Sequence, residues 1–233
     1  MVEAMPRRGR RGEASMAAAA IRYAALGWPV CQGAYPPPER GGRYRRATLT
    51  GRGRSHGSGR ACSCDRIGCP APGAHPISPA WQLEASTDRG QVGSWWRERP
   101  QASIILATGR VFDVLDVPAQ AGSAGLARME AAGVVPGPVA ITGGDRALYF
   151  IVTRGAPADE HEWWSCQLDC EPDNSMPVAG LRWHTRQSYV VAPPSRSGAG
   201  PAAHWIRDPA GHPLPDGLRL LEFLADACEE VMR

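Results

Sequence analysis

The sequence predicts an α+β fold, and three observations predict it. Segments of strand character outnumber segments of helical period. They do not alternate strictly with helices, as a parallel βαβ sheet requires. The clearest amphipathic helix closes the chain instead of linking two strands. At 233 residues the chain can bury a proper core. It has no run of about 18 apolar residues that could cross a membrane.

The elements follow in order. Ser15 caps a helix from 16 to about 26, ended by Gly27. Basic residues precede this Ala-rich stretch, as in a secretion signal, but Arg22 interrupts the apolar run, so a cytoplasmic protein is expected. "WPVC" (28–31) reads as a short strand. Residues 32–80 are rich in Gly, Pro and Arg, lack apolar periodicity, and are too long for an ordinary loop. "STDRGQVGSWWRERP" reads as a helix capped by Thr87 or Asp88 and stopped near Pro100. Strands are expected near 103–107 and 111–117, and a helix near 121–132. "GPVAITGGDRALYFIVTRG" reads as two strands, 138–142 and 147–153, about a Gly-Gly turn. "EWWSCQLDCEPD" is a further strand candidate. "GLRWHTRQSYVVAPPS" reads as a hairpin closed by Pro193 and Pro194. A short strand at "HWIRD" precedes the last helix, which should bury Leu218, Leu221, Leu224 and Cys228. The organisation expected is a disordered basic arm at 1–14 and one domain at 15–233, with 32–80 inserted in it.

The chain has no lysine, and its net charge is +3. Residues 1–12 carry four Arg against one Glu, and residues 39–60 seven Arg against one Glu, so the remainder is net acidic. Two basic, Gly-rich segments suit nucleic acid phosphates, or are simply solvated loops.

Seven cysteines in a chain of this type do not suggest a disulfide framework. "ACSCDRIGCPAPGAHP" gathers Cys62, Cys64, Cys69 and His75 within one short stretch. Three thiolates and an imidazole suit tetrahedral zinc, and metal binding would supply the order that 32–80 otherwise lacks. Four protein ligands close the site, which makes it structural. Cys31 and His56 stand as possible alternates.

"VFDVLDVP" delivers two carboxylates, Asp113 and Asp116. Side chains alternate across a strand, so these two point to opposite faces. The residue sharing a face with Asp116 is Pro118.

Read in order, the helix before "GWPV", the cysteine segment, "PAW", "STD", "WW", "ATGR", "VLDV", "TGG" with "LYF", and "SYVVAPPSRSG" resemble the bifunctional DNA primase/polymerase (prim-pol) domain of the archaeo-eukaryotic primase superfamily. The likeness runs from about Ala17 to the last helix and is strongest to short actinobacterial members with a Cys/His insertion. It implies a primase/polymerase-type, RRM-like mixed sheet with packed helices and, here, a zinc-stabilised insertion. It also implies two divalent metals, Mg or Mn, held by an Asp-x-Asp pair and a third acid, with a His on the incoming nucleotide. Shared carboxylates let two metals stabilise the attacking and leaving oxygens together. Carried onto this sequence, the first Asp is Asp116, the second position holds Pro118, the His position falls near Ala147 and the third acid falls near Arg182. The resemblance therefore implies a degenerate active site that keeps Asp116 and binds DNA or a nucleotide through Arg146, Arg182 and His184. Asp169 and Glu171 are the nearest substitutes for the missing acids. An active nucleotidyltransferase and a non-enzymatic module with a protein partner are the alternatives.

Overall fold

The computed structural model describes residues 15–36, 62–64, 66, 68–143, 145–153, 178, 180–198 and 200–233. Chain order begins with α1 (Met16–Ala25), β1 (Val30–Gly33), α2 (Trp81–Glu84), α3 (Arg89–Glu98), β2 (Ser103–Ala107) and β3 (Phe112–Pro118). It continues with α4 (Ala119–Ala131), β4 (Val139–Thr142), β5 (Arg146–Val152), β6 (Arg182–His184), β7 (Tyr189–Ala192), β8 (His204–Arg207) and α5 (Gly217–Met232). Several starts are set by side-chain caps. Ser15 accepts from the Ala18 amide, Asp88 from Gln91 at 2.7 Å, and Asp216 from Leu218 at 3.0 Å.

The α+β class holds. The strands fall into two sheets, β1-β2-β7 and β6-β3-β5-β4-β8, and every pairing is antiparallel where a mixed sheet was expected. The hairpin expected at "GLRWHTRQSYVVAPPS" does not form. β6 pairs with β3 in the larger sheet and β7 with β2 in the smaller one. A tight turn carries the chain between them: the Ser188 amide donates to the Thr185 carbonyl, and Gln187 takes a positive φ of 69°. The turn is anchored by Thr108, whose hydroxyl donates to the Thr185 carbonyl. The hairpin expected at "TGGDRALYF" does form, as β4 and β5.

Strand alternation sorts the core into layers. Ile104 and Leu106 of β2, Phe112 and Val114 of β3, and Phe150 of β5 face a cluster between the sheets, closed by α1 and α3. At its centre Trp28 stacks on Phe150, with ring centroids 5.1 Å apart, and Phe112 and Trp205 pack beside them. Polar atoms of this layer are satisfied: Tyr23 donates to the Pro193 carbonyl, Trp205 to the Tyr23 hydroxyl, and Trp96 to the Ala102 carbonyl. Leu115 and Val117 face the opposite side, against α4 and α5. The helices sit close on this side, because a Cβ at Gly122 would lie 2.4 Å from that of Ala147. In α5 the buried face is Leu220, Leu224, Ala227 and Cys228, while Leu218 is 43% exposed. The expected stripe was thus displaced at its start, because Gly217 and Leu220, not Leu218, face the sheet. Cys31, Ile105 and Val191 form a third layer on the outer face of the small sheet, covered by Trp81, Ala85 and Ala74.

Candidate functional site

Where the two sheets diverge, a cleft of about 410 Å³ opens. β3 contributes Asp116, β5 Arg146, β6 Arg182 and His184, and β7 Tyr189 and Val191. The face assignment follows from register. Asp116 lies opposite Leu148 on β5 and opposite Arg182 on β6, and Pro118 lies opposite Arg146. Asp113 falls on the other face, with Leu115 and Val117, so the alternation expected from the sequence holds.

Asp116 is 6% exposed and engaged at both oxygens. Arg146 Nε donates to Oδ1 at 2.7 Å, and His184 Nε2 lies 3.3 Å from Oδ2. The second arm of the Arg146 guanidinium donates to the backbone carbonyls of Asp116, at 3.1 Å, and Gly180, at 2.8 Å. His184 is oriented in turn by Ser188 Oγ, 2.9 Å from its Nδ1. Burial raises the carboxyl pKa of Asp116, but the hydrogen bond and charge of His184, with those of Arg146, outweigh it and hold it below its ordinary value. The acid is therefore ionised and neutralised within the protein.

A two-metal site needs several carboxylates that are not already neutralised. The described residues of this cleft do not fit that need. Pro118 offers no ligand, and Arg182 stands beside Asp116 where a further acid would have to be. Asp145 of the β4–β5 turn also lines the cleft and is exposed, but among the described residues it forms no group of three or more metal-ligand side chains with Asp116. Asp169 and Glu171 lie outside the described residues. Ala147, near which the resemblance places the nucleotide-contacting His, packs against Gly122 of α4 and faces away from the cleft. Its neighbour Arg146 is the residue that faces in.

One group of metal-ligand side chains does come together among the described residues. The ligand atoms of Cys62, Cys64, Cys69 and His75 all lie within 4.8 Å of one another. His75 Nδ1 is 2.8 Å from the Pro76 carbonyl, which only accepts, so the proton sits on Nδ1. The Nε2 lone pair is then directed at the sulfurs of Cys62 and Cys69, each 3.5 Å away. A second hydrogen bond that fixes the tautomer is the usual support of a metal-bound imidazole. The thiols carry matching strain. Burial raises Cys62, but donors around it, including the Cys64 and Gly73 amides, outweigh burial and bring its pKa down to about 6. Cys69 is pushed up by desolvation and by the sulfurs of Cys64 and Cys62. Adjacent thiolates repel, and a divalent cation among them removes that cost. The donor set fits zinc, as a closed tetrahedral S₃N site.

This knot is docked on the sheet beside the cleft. The Ala34 amide donates to the His75 carbonyl, Ile77 to Gln32, and Ser63 to Tyr35. Gly73 has a φ of +74°, and a Cβ there would lie 2.7 Å from the Arg196 carbonyl. Ala74, inside the knot, lines the cleft itself. Cys31 is not part of the knot: it is buried on β1 against Ile105 and Val191, and burial raises its thiol to about 12. His56 lies outside the described residues.

Sequence reasoning missed Asp145, Thr142 and Ser197 as cleft residues. The turn residues "TGGD" carried the signal for the first two. Ser197 reaches the cleft only through the loop after Pro194, which sequence spacing does not reveal. No curated protein matches the chain. The family model described as bifunctional DNA primase/polymerase, N-terminal, matches residues 20–217.

Proposed function

This chain belongs to the bifunctional DNA primase/polymerase N-terminal family, and from that premise we propose that it is a primase/polymerase-type domain whose catalytic metal site is closed and whose cleft binds a nucleotide or nucleic acid. One observation carries the reading: the carboxylate that the family pattern assigns to metal binding is held by a guanidinium and an imidazole instead. Register explains why this is a stable arrangement. Arg146 lies opposite Pro118, so the cation enters from the position where a second acid would have faced it. Arg182 and Thr142 line the same cleft beside this neutralised group, and a guanidinium and a hydroxyl can accept an anion without a metal. Residues 15–233 act as one domain in this reading, in a protein of the cytoplasm.

The Cys62, Cys64, Cys69 and His75 group holds structural zinc in the same proposal. Its part is to hold the 62–77 segment against β1 and so keep the wall at Ala74 in place.

Primer extension and de novo primer synthesis test the proposal. Wild type and Asp116→Ala are assayed with Mg²⁺ and with Mn²⁺. No template-directed incorporation is expected from either protein, with nucleotide binding retained in the wild type. Incorporation by the wild type that disappears in Asp116→Ala would overturn the proposal in favour of an active metal-dependent nucleotidyltransferase.

A further inference from the structure

A second pocket, of about 310 Å³, lies beside the cleft, between α2, the β2–β3 turn and the β6–β7 turn. Its two charged residues are Arg110 and Arg186, both exposed, and no carboxylate lines it. Neither guanidinium has an ion-pair partner among the described residues; Arg110 donates only to the Gln82 carbonyl. The backbone brings the turns that carry these two cations into contact. Gly109 has a φ of +78°, and a Cβ there would lie 2.2 Å from Arg186 Cα, so only glycine lets the two turns touch. Gln187 completes the turn at a positive φ that a side chain rarely adopts. Two cations thus line one pocket on turns whose contact needs an unusual backbone, and among the described residues no acid pairs with either.

The pocket is joined to the cleft by aromatic rings. Trp81 lines the pocket, Tyr189 lines the cleft, and the two meet edge to face with centroids 5.1 Å apart. Paired guanidiniums bind phosphate oxygens, and half-buried aromatic faces beside them accept bases. We propose that the Arg110–Arg186 pocket takes a backbone phosphate of a single-stranded nucleic acid that passes Trp81 and Tyr189 towards the Asp116 cleft. This rests on the reading of the cleft as a nucleotide or nucleic-acid site. A strand fits better than an acidic peptide because two aromatic rings in contact, Trp81 and Tyr189, lie between the arginine pocket and the cleft. Acidic side chains would use only the charges.

Binding of a fluorescently labelled oligothymidylate, followed by anisotropy across a salt series, tests the proposal. Wild type is compared with Arg186→Gln and with Arg110→Gln/Arg186→Gln, while a fluorescent nucleoside triphosphate reports on the cleft in parallel. Both arginines are exposed, and unchanged melting temperatures establish that the variants fold. The double variant should bind the oligonucleotide about tenfold more weakly or worse. Its slope of log affinity against log salt should be shallower by about 0.7, the value for one phosphate no longer neutralised on a single strand. Nucleotide binding should be unchanged. An unaltered oligonucleotide affinity and slope, with nucleotide still bound, would overturn the pocket and leave the cleft reading standing. Failure of wild type to bind either ligand would overturn both. Displacement of the oligonucleotide by polyglutamate at equal charge concentration would overturn the choice of a nucleic acid and point to an acidic protein.

Discussion

Replacing Arg146 by leucine tests the internal neutralisation of Asp116. The substitution removes the cation facing a side chain that is 9% exposed, along with three hydrogen bonds, to Asp116 Oδ1 and to the carbonyls of Asp116 and Gly180. Breaking a buried pair from one side costs about 3–5 kcal/mol. Arg146 is itself 22% exposed and His184 remains on the other oxygen, so the low end, about 3 kcal/mol, is expected at neutral pH. For a chain of this size that lowers Tm by about 6–12 °C. The pH dependence gives the sharper test. In the wild type the Asp116 pKa is depressed, so its contribution is complete above the ordinary carboxylate value of 3.8 and is lost only as pH falls through the lower folded value. Without the guanidinium, burial is offset less and the pKa moves up. The variant then prefers the neutral acid, and its deficit relative to wild type should shrink as pH falls from about 7.5 to about 4.5. Urea denaturation at several pH values measures this. Asp116→Asn/Arg146→Leu, which leaves no buried charge unpaired, should recover much of the loss. A deficit that is the same at every pH and is not reduced in the double variant would refute the reasoning.

Other consequences follow from the same structure. Purified protein should carry about one zinc per chain, and Cys64→Ser should lose it; chelation should lower Tm, and metal analysis showing no zinc in the wild type would end the assignment. Phe150→Ala empties the space between Trp28, Phe112 and Trp205 and should cost about 3–5 kcal/mol by urea denaturation; a loss below about 1 kcal/mol would mean that this core is not packed as described. Gly109→Ala forces a side chain into both a positive φ and the Arg186 backbone, so its loss in the same assay should exceed the roughly 1 kcal/mol of conformational strain alone. A neutral Gly109→Ala would show that the two turns are not in contact.

Much of this was legible in the sequence because it rests on local rules. Period-two alternation placed Asp113 and Asp116 on opposite faces of β3, and α1, α3, α4 and α5 were located to within a few residues, while the one-turn α2 was missed. The cysteine spacing pointed to the four residues that come together. What escaped was set by pairing across distance. "RWHTRQSYVV" looks like a hairpin because both halves suit strands and the residues between them suit a turn. The partners that split them, β3 and β2, lie some 70 to 90 residues earlier. Arg146 was expected to meet a phosphate, yet the structure turns it onto Asp116, because the β3–β5 register sets it opposite Pro118. Neither the register nor the contact of Gly109 with Arg186 can be read from local sequence.

The central claim is that an internal cation, and not a metal ion, neutralises Asp116. Electron paramagnetic resonance of Mn²⁺ titrated into zinc-loaded protein measures this directly, with Asp116→Asn as the comparison. The account predicts that both proteins leave the Mn²⁺ free in solution to the same extent. Tight Mn²⁺ binding by the wild type that Asp116→Asn abolishes would contradict it.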